Sequence, residues 1–539
     1  MPLQESLAHW GESLINSPRT IIFYLLSALF LINTAQRIRR WYRLWHIPGP
    51  WICGFTSLWL LRKCFGPRID LSWKELVDKY GPVVRMAPNE IILADVDELL
   101  RIQSPRSVYR KDDWYLIGQI NPPFHNLLSM QDKDVRRERK RKITPGYNGR
   151  GGDDFEQGLN KGIARWIELI ERKYLSTPAE GKPLDLALHS HYYALDSLGE
   201  MAYSRQLGFL ESDTDKHRIL ETNEKLMPVM FLFSNFIWLT KYLRYWPLVL
   251  LLPRDGDKSG FGAIMGFSSS IIDQRLAELA QQAKPKGDIL QAFINEKLHP
   301  DALREEVTIQ FFVGSDTTAS LIRMTFLALL TNPRVYMTLQ SEINNAANLS
   351  SPITATESRQ LPYLQAVIRE SLRFYPPVAA GVFYKDVPAE GDVLCDKYFL
   401  PGGTKVSTIA GLTALLRDKR VFGEDAECFW PERWIEAEKL LDGGEKLRLM
   451  TKSLDLCFGA GQFACPGKGI ALMSAGKVIP ELLRRYNFSI LNPAEPMKLR
   501  GAVAWLAHDF WVRVEKRPVH ITTGTNGLSE SSGAMAREA

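Results

Sequence analysis

The order of apolar and polar positions along the chain is mostly that of helices, with a few short strand-like runs between them. The most regular stretch runs from Asp301 to Thr331: it begins with acidic residues, turns apolar on nearly every side and stops before an Asn-Pro pair. At 1.5 Å of rise per residue, about 30 residues make a helix about 45 Å long. A helix that is apolar all round is buried, so this segment is predicted to cross the whole core.

The N-terminal region carries a second apolar run. Residues Ile21–Thr34 are uncharged, and 17 residues separate Arg19 from Arg37, which is close to the shortest helix that spans a bilayer. A cleaved signal peptide is the alternative, but no small-residue cleavage site follows. The basic run Arg37–Arg43 follows instead, and positive charge stays on the cytoplasmic side. Residues 1–45 are therefore predicted to be a single-pass membrane anchor with a basic flank, and the chain beyond it to face the cytosol.

The remaining sequence predicts one large domain. Residues 46–51, HIPGPW, form a stiff non-helical elbow, because proline fixes its own backbone and restricts the residue before it. Alternation across residues 82–94 predicts a small hairpin. No boundary in composition lies between residues 50 and 518, whereas residues 519–539 are small and polar and are expected to be disordered. The predicted fold is mainly α with small β-sheets, in a single domain over residues 46–518.

Charge and cysteine content narrow the partners and exclude some kinds of site. The 539 residues include 67 basic and 61 acidic side chains, a net charge of +6. This spread excess suits an anionic membrane surface or an acidic protein partner better than DNA, and the sequence contains no nucleic-acid-binding motif. The 6 cysteines include no CxxC pair, so neither a zinc site nor a disulfide framework is predicted. His189 and His191 are two residues apart and do not share a helix face, so they are predicted to be core or solvent histidines.

Polar residues interrupt the middle of the predicted core helix, where Gly314, Asp316 and Thr317 lie within an apolar run. Glycine inside a helix costs about 1 kcal/mol relative to alanine. A helix N-cap at Ser315 or Asp316 is one explanation, although the residues before it already follow a helical pattern. A local opening of the helix beside a ligand or water is the other. An acid next to a hydroxyl then provides a route for delivering protons into a dry cavity.

Glu370 and Arg373 are three residues apart and therefore share one face of a helix. A pair with this spacing is commonly solvated at the surface, but the apolar residues around it predict a mostly buried helix. A buried pair needs its remaining donors satisfied. Arg433, in the segment FWPERW, is the predicted partner.

The stretch FGAGQFACPG, residues 458–467, places Cys465 among glycines. Glycine at such positions lets backbone approach a ligand closely. Part of the stretch, GAGQFA, also matches a dinucleotide-binding fingerprint with an acidic residue, Glu481, about 20 residues further on. Pro466 argues against that fingerprint, because it falls where the helix of the fingerprint should already be running.

The motifs occur in a defined order: the Gly-Asp-Thr core helix, ExxR, FxPERW and FxxGxxxCxG. In this order, and over residues 46–518, the chain resembles the cytochrome P-450 superfamily of haem-thiolate monooxygenases. Its phrases look most like microsomal members from fungi, the pisatin demethylase-like group included. The resemblance implies that haem b is the cofactor and that Cys465 is the axial thiolate ligand of its iron. The other residues implied to surround the haem are Phe458, which shields the sulfur, and Gly459, Gly461 and Gly467, which let the backbone pass close under the porphyrin.

The same resemblance implies roles for the polar residues described above. Asp316 and Thr317 are expected to manage the protons consumed when dioxygen is activated. Glu370, Arg373 and Arg433 are expected to hold the haem-binding core together without reacting.

Two positions depart from the family pattern. Phe463 stands where the family usually has a basic residue that pairs with a haem propionate, and Val313 replaces a small residue, which should narrow the space above the iron. Another cation must then neutralise the propionates. The basic run 136–142, RRERKRK, resembles the propionate-binding helix of the family and offers Arg139 or Lys140, although a solvated charge run is the alternative.

By position in the resemblance, the substrate is expected to lie against apolar residues from three uncharged segments. These residues are Phe311, Phe312, Val313, Val378, Ala379, Val382, Phe383 and Val503. A lipophilic, largely uncharged substrate is predicted, such as a terpenoid or polyketide intermediate of fungal secondary metabolism.

The expected activity is insertion of one oxygen atom from dioxygen, with electrons from NADPH delivered by NADPH–cytochrome P-450 reductase and with cytochrome b5 as a further partner. The expected location is the endoplasmic reticulum membrane. Two alternatives stay open from the sequence: an oxygen-independent haem-thiolate isomerase or dehydratase, and a non-catalytic haem sensor. Asp316 and Thr317 argue against the first, since such enzymes need no proton relay.

Overall fold

A computed structural model describes residues 18–149, 155–234, 253–346, 348–378, 380–441 and 444–518. Helices dominate this part of the chain, as predicted. They are α1 Pro18–Arg43, α2 Leu58–Cys64, α3 Ile69–Tyr80, α4 Val96–Gln103, α5 Lys133–Tyr147, α6 Phe155–Leu169, α7 Leu186–Tyr203, α8 Phe209–Ser212, α9 Ile219–Ser234, α10 Gly260–Ala280, α11 Ile289–Asn295, α12 Pro300–Leu330, α13 Pro333–Asn345, α14 Ala355–Arg359, α15 Pro362–Phe374, α16 Leu412–Leu415, α17 Lys419–Phe422, α18 Glu432–Lys439, α19 Glu445–Asp455 and α20 Lys468–Arg485.

The strands are short and form small sheets at the edge of the helical core. They are β1 Val83–Ala87, β2 Glu90–Leu93, β3 Arg110–Lys111, β4 Leu175–Ser176, β5 Pro183–Asp185, β6 Tyr384–Asp386, β7 Asp392–Leu394, β8 Tyr398–Leu400, β9 Lys405–Ser407, β10 Tyr486–Ile490, β11 Lys498–Gly501, β12 Trp505–His508 and β13 Trp511–Lys516. The largest sheet has the order β1-β2-β9-β6-β3, and a second sheet joins β10, β13, β4 and β5. The hairpin predicted for residues 82–94 is confirmed as β1 and β2, with Val83 opposite Leu93.

Helix α12 is the central element. It packs against α7, α10 and α20, and most of its side chains are buried. Pro300 occupies its first position, where the missing N–H would have no partner in any case, and it ends just before the Asn-Pro pair of α13. The prediction of one long core helix is thus confirmed within one residue at each end.

The middle of α12 shows neither of the two alternatives considered from the sequence, a helix N-cap or a local opening. The helix is continuous, and the hydroxyls of Thr317 and Thr318 donate to the carbonyls of Val313 and Gly314 at 2.8 and 3.0 Å. Each hydroxyl therefore returns to its own helix one turn earlier, which satisfies it without breaking the backbone ladder.

Helix α1 is the one helix of the described residues that is long and apolar enough to cross a membrane. It extends well beyond the predicted apolar run, and its last turn is fastened to the domain by Arg85 of β1. The buried guanidinium of Arg85 donates to the carbonyls of Arg40 and Trp41 at 2.9 and 3.1 Å. A cation at the C-terminal end of a helix also complements the helix dipole. Residues 1–17 of the predicted anchor and the predicted tail, 519–539, lie outside the described residues.

Candidate active site

One face of α12 is accessible although the helix crosses the core. Val313 is 44% exposed, and Gly314, Thr317 and Thr318 are partly exposed, whereas the turns on either side are buried. These residues are spaced by one turn and form a single stripe. A methyl group added at Gly314 would have no neighbour closer than Leu198, at 3.8 Å. The stripe is therefore the one accessible part of this stretch of α12.

The loop between α19 and α20 carries Cys465, and two of its glycines are required by backbone geometry. Gly459 and Gly461 have φ values of +66° and +52°, which favour glycine. A Cβ at Gly459 would lie 2.8 Å from the carbonyl oxygen of Phe463, and a Cβ at Gly461 would lie 2.4 Å from that of Gln103. Gly467 differs, because a Cβ there would only touch the Cys465 sulfur, at 3.9 Å. Glycine at this third position leaves the sulfur less covered.

The Cys465 thiol is exposed, in contrast to Cys457 earlier in the same loop region, which is buried. Burial of the surroundings nevertheless raises the pKa of the Cys465 thiol, against the N–H groups of Gly467 and Lys468 and the charge of Lys140, which lower it. The Cys465 side chain is thus accessible although its environment disfavours a charge on it. Such a thiol becomes a thiolate when a metal ion supplies the missing positive charge.

Asp316 is adjacent to Thr317 in sequence but points to a different side of α12. It is buried, and its carboxylate lies 3.4 Å from the Arg323 guanidinium and 3.9 Å from the His191 ring. Burial raises the pKa of Asp316, and the charge of Arg323 opposes that rise. Burial and the same arginine lower the pKa of His191 to about 3, so this ring is neutral at physiological pH.

A polar cavity of about 60 Å³ adjoins Asp316, His191 and Arg323 and reaches Glu224 and His508. This volume holds a few water molecules, since each needs about 10–15 Å³ by this measure. Glu224 and His508 form a half-exposed pair 3.1 Å apart. Asp316 therefore lines a water-sized cavity on a different side of α12 from the accessible stripe.

The structure brings Glu370, Arg373 and Arg433 together between α15 and α18. Arg373 and Arg433 lie 2.7 and 3.1 Å from the same carboxylate oxygen of Glu370, and all three side chains are buried. The backbone N–H of Trp430 and the indole N–H of Trp434 also donate to Glu370, at 2.8 and 3.0 Å. Sequence reasoning missed the two tryptophan donors, although both lie in the FWPERW segment.

The two cations predicted for the propionates already have protein partners. Arg139 pairs with Glu306 at 2.9 Å, and Lys140 donates to three loop carbonyls, the nearest that of Ala464 at 3.0 Å. Two other buried cations lie around Phe463. The Arg136 guanidinium, from the predicted basic run but not singled out in it, is 4.1 Å from the ring, and the Lys385 ammonium, which sequence reasoning missed, is 3.5 Å from it. Lys385 sits on a strand of three residues, and no sequence pattern marks it.

The predicted substrate-pocket residues separate into two groups. Val378, Phe383 and Val503 are partly exposed, like Val313. The others are buried: Phe311 stacks on Tyr203, Phe312 stacks on Phe261 and Val382 is fully covered. Ala379 lies outside the described residues.

The competing motifs have structural explanations. The loop at 459–464 follows α19 rather than a strand, and Glu481 is buried inside α20, where it pairs with Arg484 at 2.8 Å. His189 is bound to Asp213 at 2.9 Å, and His191 lies 3.3 Å from the Ser315 hydroxyl.

Comparison with known proteins gives one consistent result. A family model described as cytochrome P450 matches residues 47–508. The chain is 35% identical to the cytochrome P450 monooxygenase aba1 of Botryotinia fuckeliana over 87% of this chain and 91% of that protein. It is 32% identical to ABA1 of Pyricularia oryzae, over 88% and 93% of the two chains. It is 30% identical to the cytochrome P450 monooxygenase cicH of Emericella nidulans, over 92% and 98%.

Proposed function

Because this chain belongs to the cytochrome P450 family, and is thus an oxidoreductase of the monooxygenase class, we propose that it oxidises a lipophilic, uncharged product of fungal secondary metabolism. One oxygen atom of dioxygen enters the substrate and the other leaves as water, so each turnover consumes two electrons and two protons. The observation that carries the proposal is the accessible Cys465 thiol on a glycine loop, in a fold whose central helix has one accessible face.

The residues present fit the haem that the family implies. Cys465 would hold the iron through its thiolate, and the Gly467 and Lys468 N–H groups would stabilise the negative charge. Phe458, which is partly exposed, lies beside the loop. When bound, haem with a thiolate ligand supplies the activation of dioxygen, because the thiolate favours O–O cleavage.

Asp316 and Thr317 are proposed to move the protons. Burial favours the protonated form of Asp316, so the carboxyl can take a proton from water in the adjoining cavity and hold it inside the protein. Thr317 lies on the accessible stripe, and its hydroxyl, which donates to the Val313 carbonyl at 2.8 Å, can still accept from a water that carries the proton. His191, which is neutral, lies 3.9 Å from the carboxylate and adds no positive charge there.

Replacing Asp316 with asparagine is expected to preserve haem content and substrate binding while lowering turnover by about 10²-fold, the usual contribution of one general acid. The missing proton donor should also divert reducing equivalents into hydrogen peroxide. Product, NADPH and peroxide measured in the same reaction give the coupling efficiency. Asp301→Asn, the same change in the first turn of α12, is the matched control. Unchanged turnover and coupling in Asp316→Asn would remove this residue from the proton route.

Electrons are proposed to arrive from NADPH through a membrane-bound reductase, with cytochrome b5 as a second donor. The supporting feature is a basic groove of about 480 Å³ that includes Gly461 and Gln462 of the cysteine loop. Its basic residues are Lys133, Arg136, Arg137, Lys140 and Arg141. An acidic surface on the reductase complements this groove and would dock next to the loop that holds Cys465.

The proposed location is the endoplasmic reticulum membrane, with α1 as a single span and the catalytic domain over residues 46–518 in the cytosol. The basic run Arg37–Arg43 at the end of α1 supports this orientation.

The decisive experiment supplies the purified full chain, a fungal reductase, NADPH and ¹⁸O₂ to a panel of terpenoids and polyketides. Incorporation of one ¹⁸O atom into the product, dependent on NADPH, is the expected result. Product formed without oxygen or reductase would favour the isomerase or dehydratase instead. Absence of NADPH consumption with every lipophile would favour a haem sensor, and tight spectral binding of a polyanion would contradict the substrate class.

A further inference from the structure

Three buried cations from three different elements meet beside the cysteine loop. Lys111 of β3, Arg136 of α5 and Lys385 of β6 are 7%, 4% and 1% exposed. Two of them contact the ring of Phe463, two residues before Cys465: the Lys385 ammonium at 3.5 Å and the Arg136 guanidinium at 4.1 Å from the ring centre. Lys111 and Lys385 also share the ring of Tyr115, at 4.6 and 4.5 Å. Lys111, Arg136 and Lys385 are called the cation cluster below.

None of the three cations forms an ion pair with an acidic side chain among the described residues. Their hydrogen bonds go to neutral acceptors. Lys111 donates to the carbonyls of residues 127 and 128, and Lys385 donates to the Tyr115 hydroxyl at 2.7 Å. Arg136 donates to the Gln462 side chain at 2.6 Å. One nitrogen of Arg136, Nη1, is buried and has no hydrogen-bond partner within the part of the chain that the structure describes.

The nearest acids are already committed elsewhere. Glu306 is held by Arg139 at 2.9 Å, and Asp132 caps α5 by accepting the N–H groups of residues 134 and 135. Burial and mutual repulsion lower the pKa values of Lys111 and Lys385. Arg136 remains charged, because an arginine does not lose its proton in proteins. Buried charge is normally paired, so the cluster is incomplete without an anion.

We propose that the cation cluster binds the two propionate carboxylates of haem, and that Phe463 positions Arg136 and Lys385 for this contact through its ring. The inference rests on the haem-thiolate assignment proposed above. Phe463 is separated from Cys465 by one residue, so their Cα atoms are at most about 7 Å apart and the ring lies in the same loop as the sulfur. An aromatic ring attracts cations to its faces. Phe463 therefore stands in place of a charged side chain, and its ring holds two cations beside the loop, Lys385 of β6 and Arg136 of α5.

The test compares haem with haem dimethyl ester, whose carboxylates are blocked. The full-length protein is produced in a host unable to make haem, purified in detergent and titrated with each compound. The wild-type chain is expected to bind haem more tightly than the diester. Lys385→Met and Arg136→Gln should each reduce that preference on the order of tenfold, the usual loss for one charged hydrogen bond. Phe463→Leu should reduce it too, although the residue carries no charge.

Arg137→Gln is the matched control, since its side chain is 75% exposed on the same helix and pairs with Asp134. It should keep the wild-type preference, as should the charge-conserving Lys385→Arg. Circular dichroism of the metal-free variants reports folding separately, and resonance Raman bands of the propionates report the contact in each loaded protein. If Lys385→Met and Arg136→Gln each still prefer haem to the diester as strongly as the wild type does, the inference is overturned. A normal thiolate spectrum in those variants would leave the proposed function intact. Absence of that spectrum from the wild-type protein would contradict both the proposed function and this inference.

Discussion

Cys465→Ser is expected to eliminate the red-shifted Soret band that the ferrous carbon monoxide complex shows when a thiolate is the axial ligand. Serine preserves the size and position of the side chain, but its hydroxyl does not ionise under conditions in which a metal-bound thiol does. The Gly467 and Lys468 N–H groups that face the sulfur would then face a neutral oxygen. Monooxygenase turnover should fall below detection, because the ligand that favours O–O cleavage is lost.

The measurement is a difference spectrum of the dithionite-reduced, carbon monoxide-treated protein. Cys428→Ser is the control, since that thiol is exposed and lies in a different loop. It should give the wild-type spectrum. A normal thiolate band in Cys465→Ser would mean that another residue holds the iron.

Glu370→Gln is expected to have the largest effect on stability. The carboxylate accepts from two arginines and two tryptophan N–H groups. Glutamine would leave the buried Arg373 guanidinium without its counter-charge and would leave Arg433 with Asp425 alone. Breaking a buried pair in this way costs about 3–5 kcal/mol, a large fraction of the usual 5–15 kcal/mol of a folded protein. The urea midpoint, followed by loss of the Soret band, should fall sharply.

Glu438→Gln provides the comparison, because Glu438 pairs with Arg369 at the surface, at 3.1 Å and 47% exposed. Its midpoint should shift little, since exposed pairs contribute about 0–1 kcal/mol. Equal midpoints for Glu370→Gln and the wild type would show that the buried network is dispensable.

The sequence predicted those features that depend on local spacing. An all-round apolar pattern defined α12 almost to its ends, and the spacing of three between Glu370 and Arg373 placed both on one face of α15. The relation of Arg323 to Asp316 was also within reach, because residues seven apart lie two turns along the same helix. His191 was not, since only the packing of α7 on α12 brings it near Asp316.

Other features depend on contacts that no pattern encodes. Lys111 and Lys385 occupy strands of two and three residues, too short for a period to identify which face is buried. Neither of the two explanations weighed for the middle of α12, a helix N-cap or a local opening, is observed. A threonine hydroxyl can satisfy itself on its own helix, an outcome equally compatible with the sequence. The sequence identified Phe463 as a departure from the family pattern, but only the folded structure shows its contacts with two cations that are distant in sequence.

Arg85 has a consequence for how the protein meets other proteins. By donating to the carbonyls of Arg40 and Trp41 in the last turn of α1, it restricts rotation between this helix and the domain. With α1 inserted in a bilayer as proposed, this contact would limit the tilt of the domain and the sides that it presents along the membrane. An electron donor anchored in the same bilayer would then meet the domain by two-dimensional diffusion and within a narrow range of orientations.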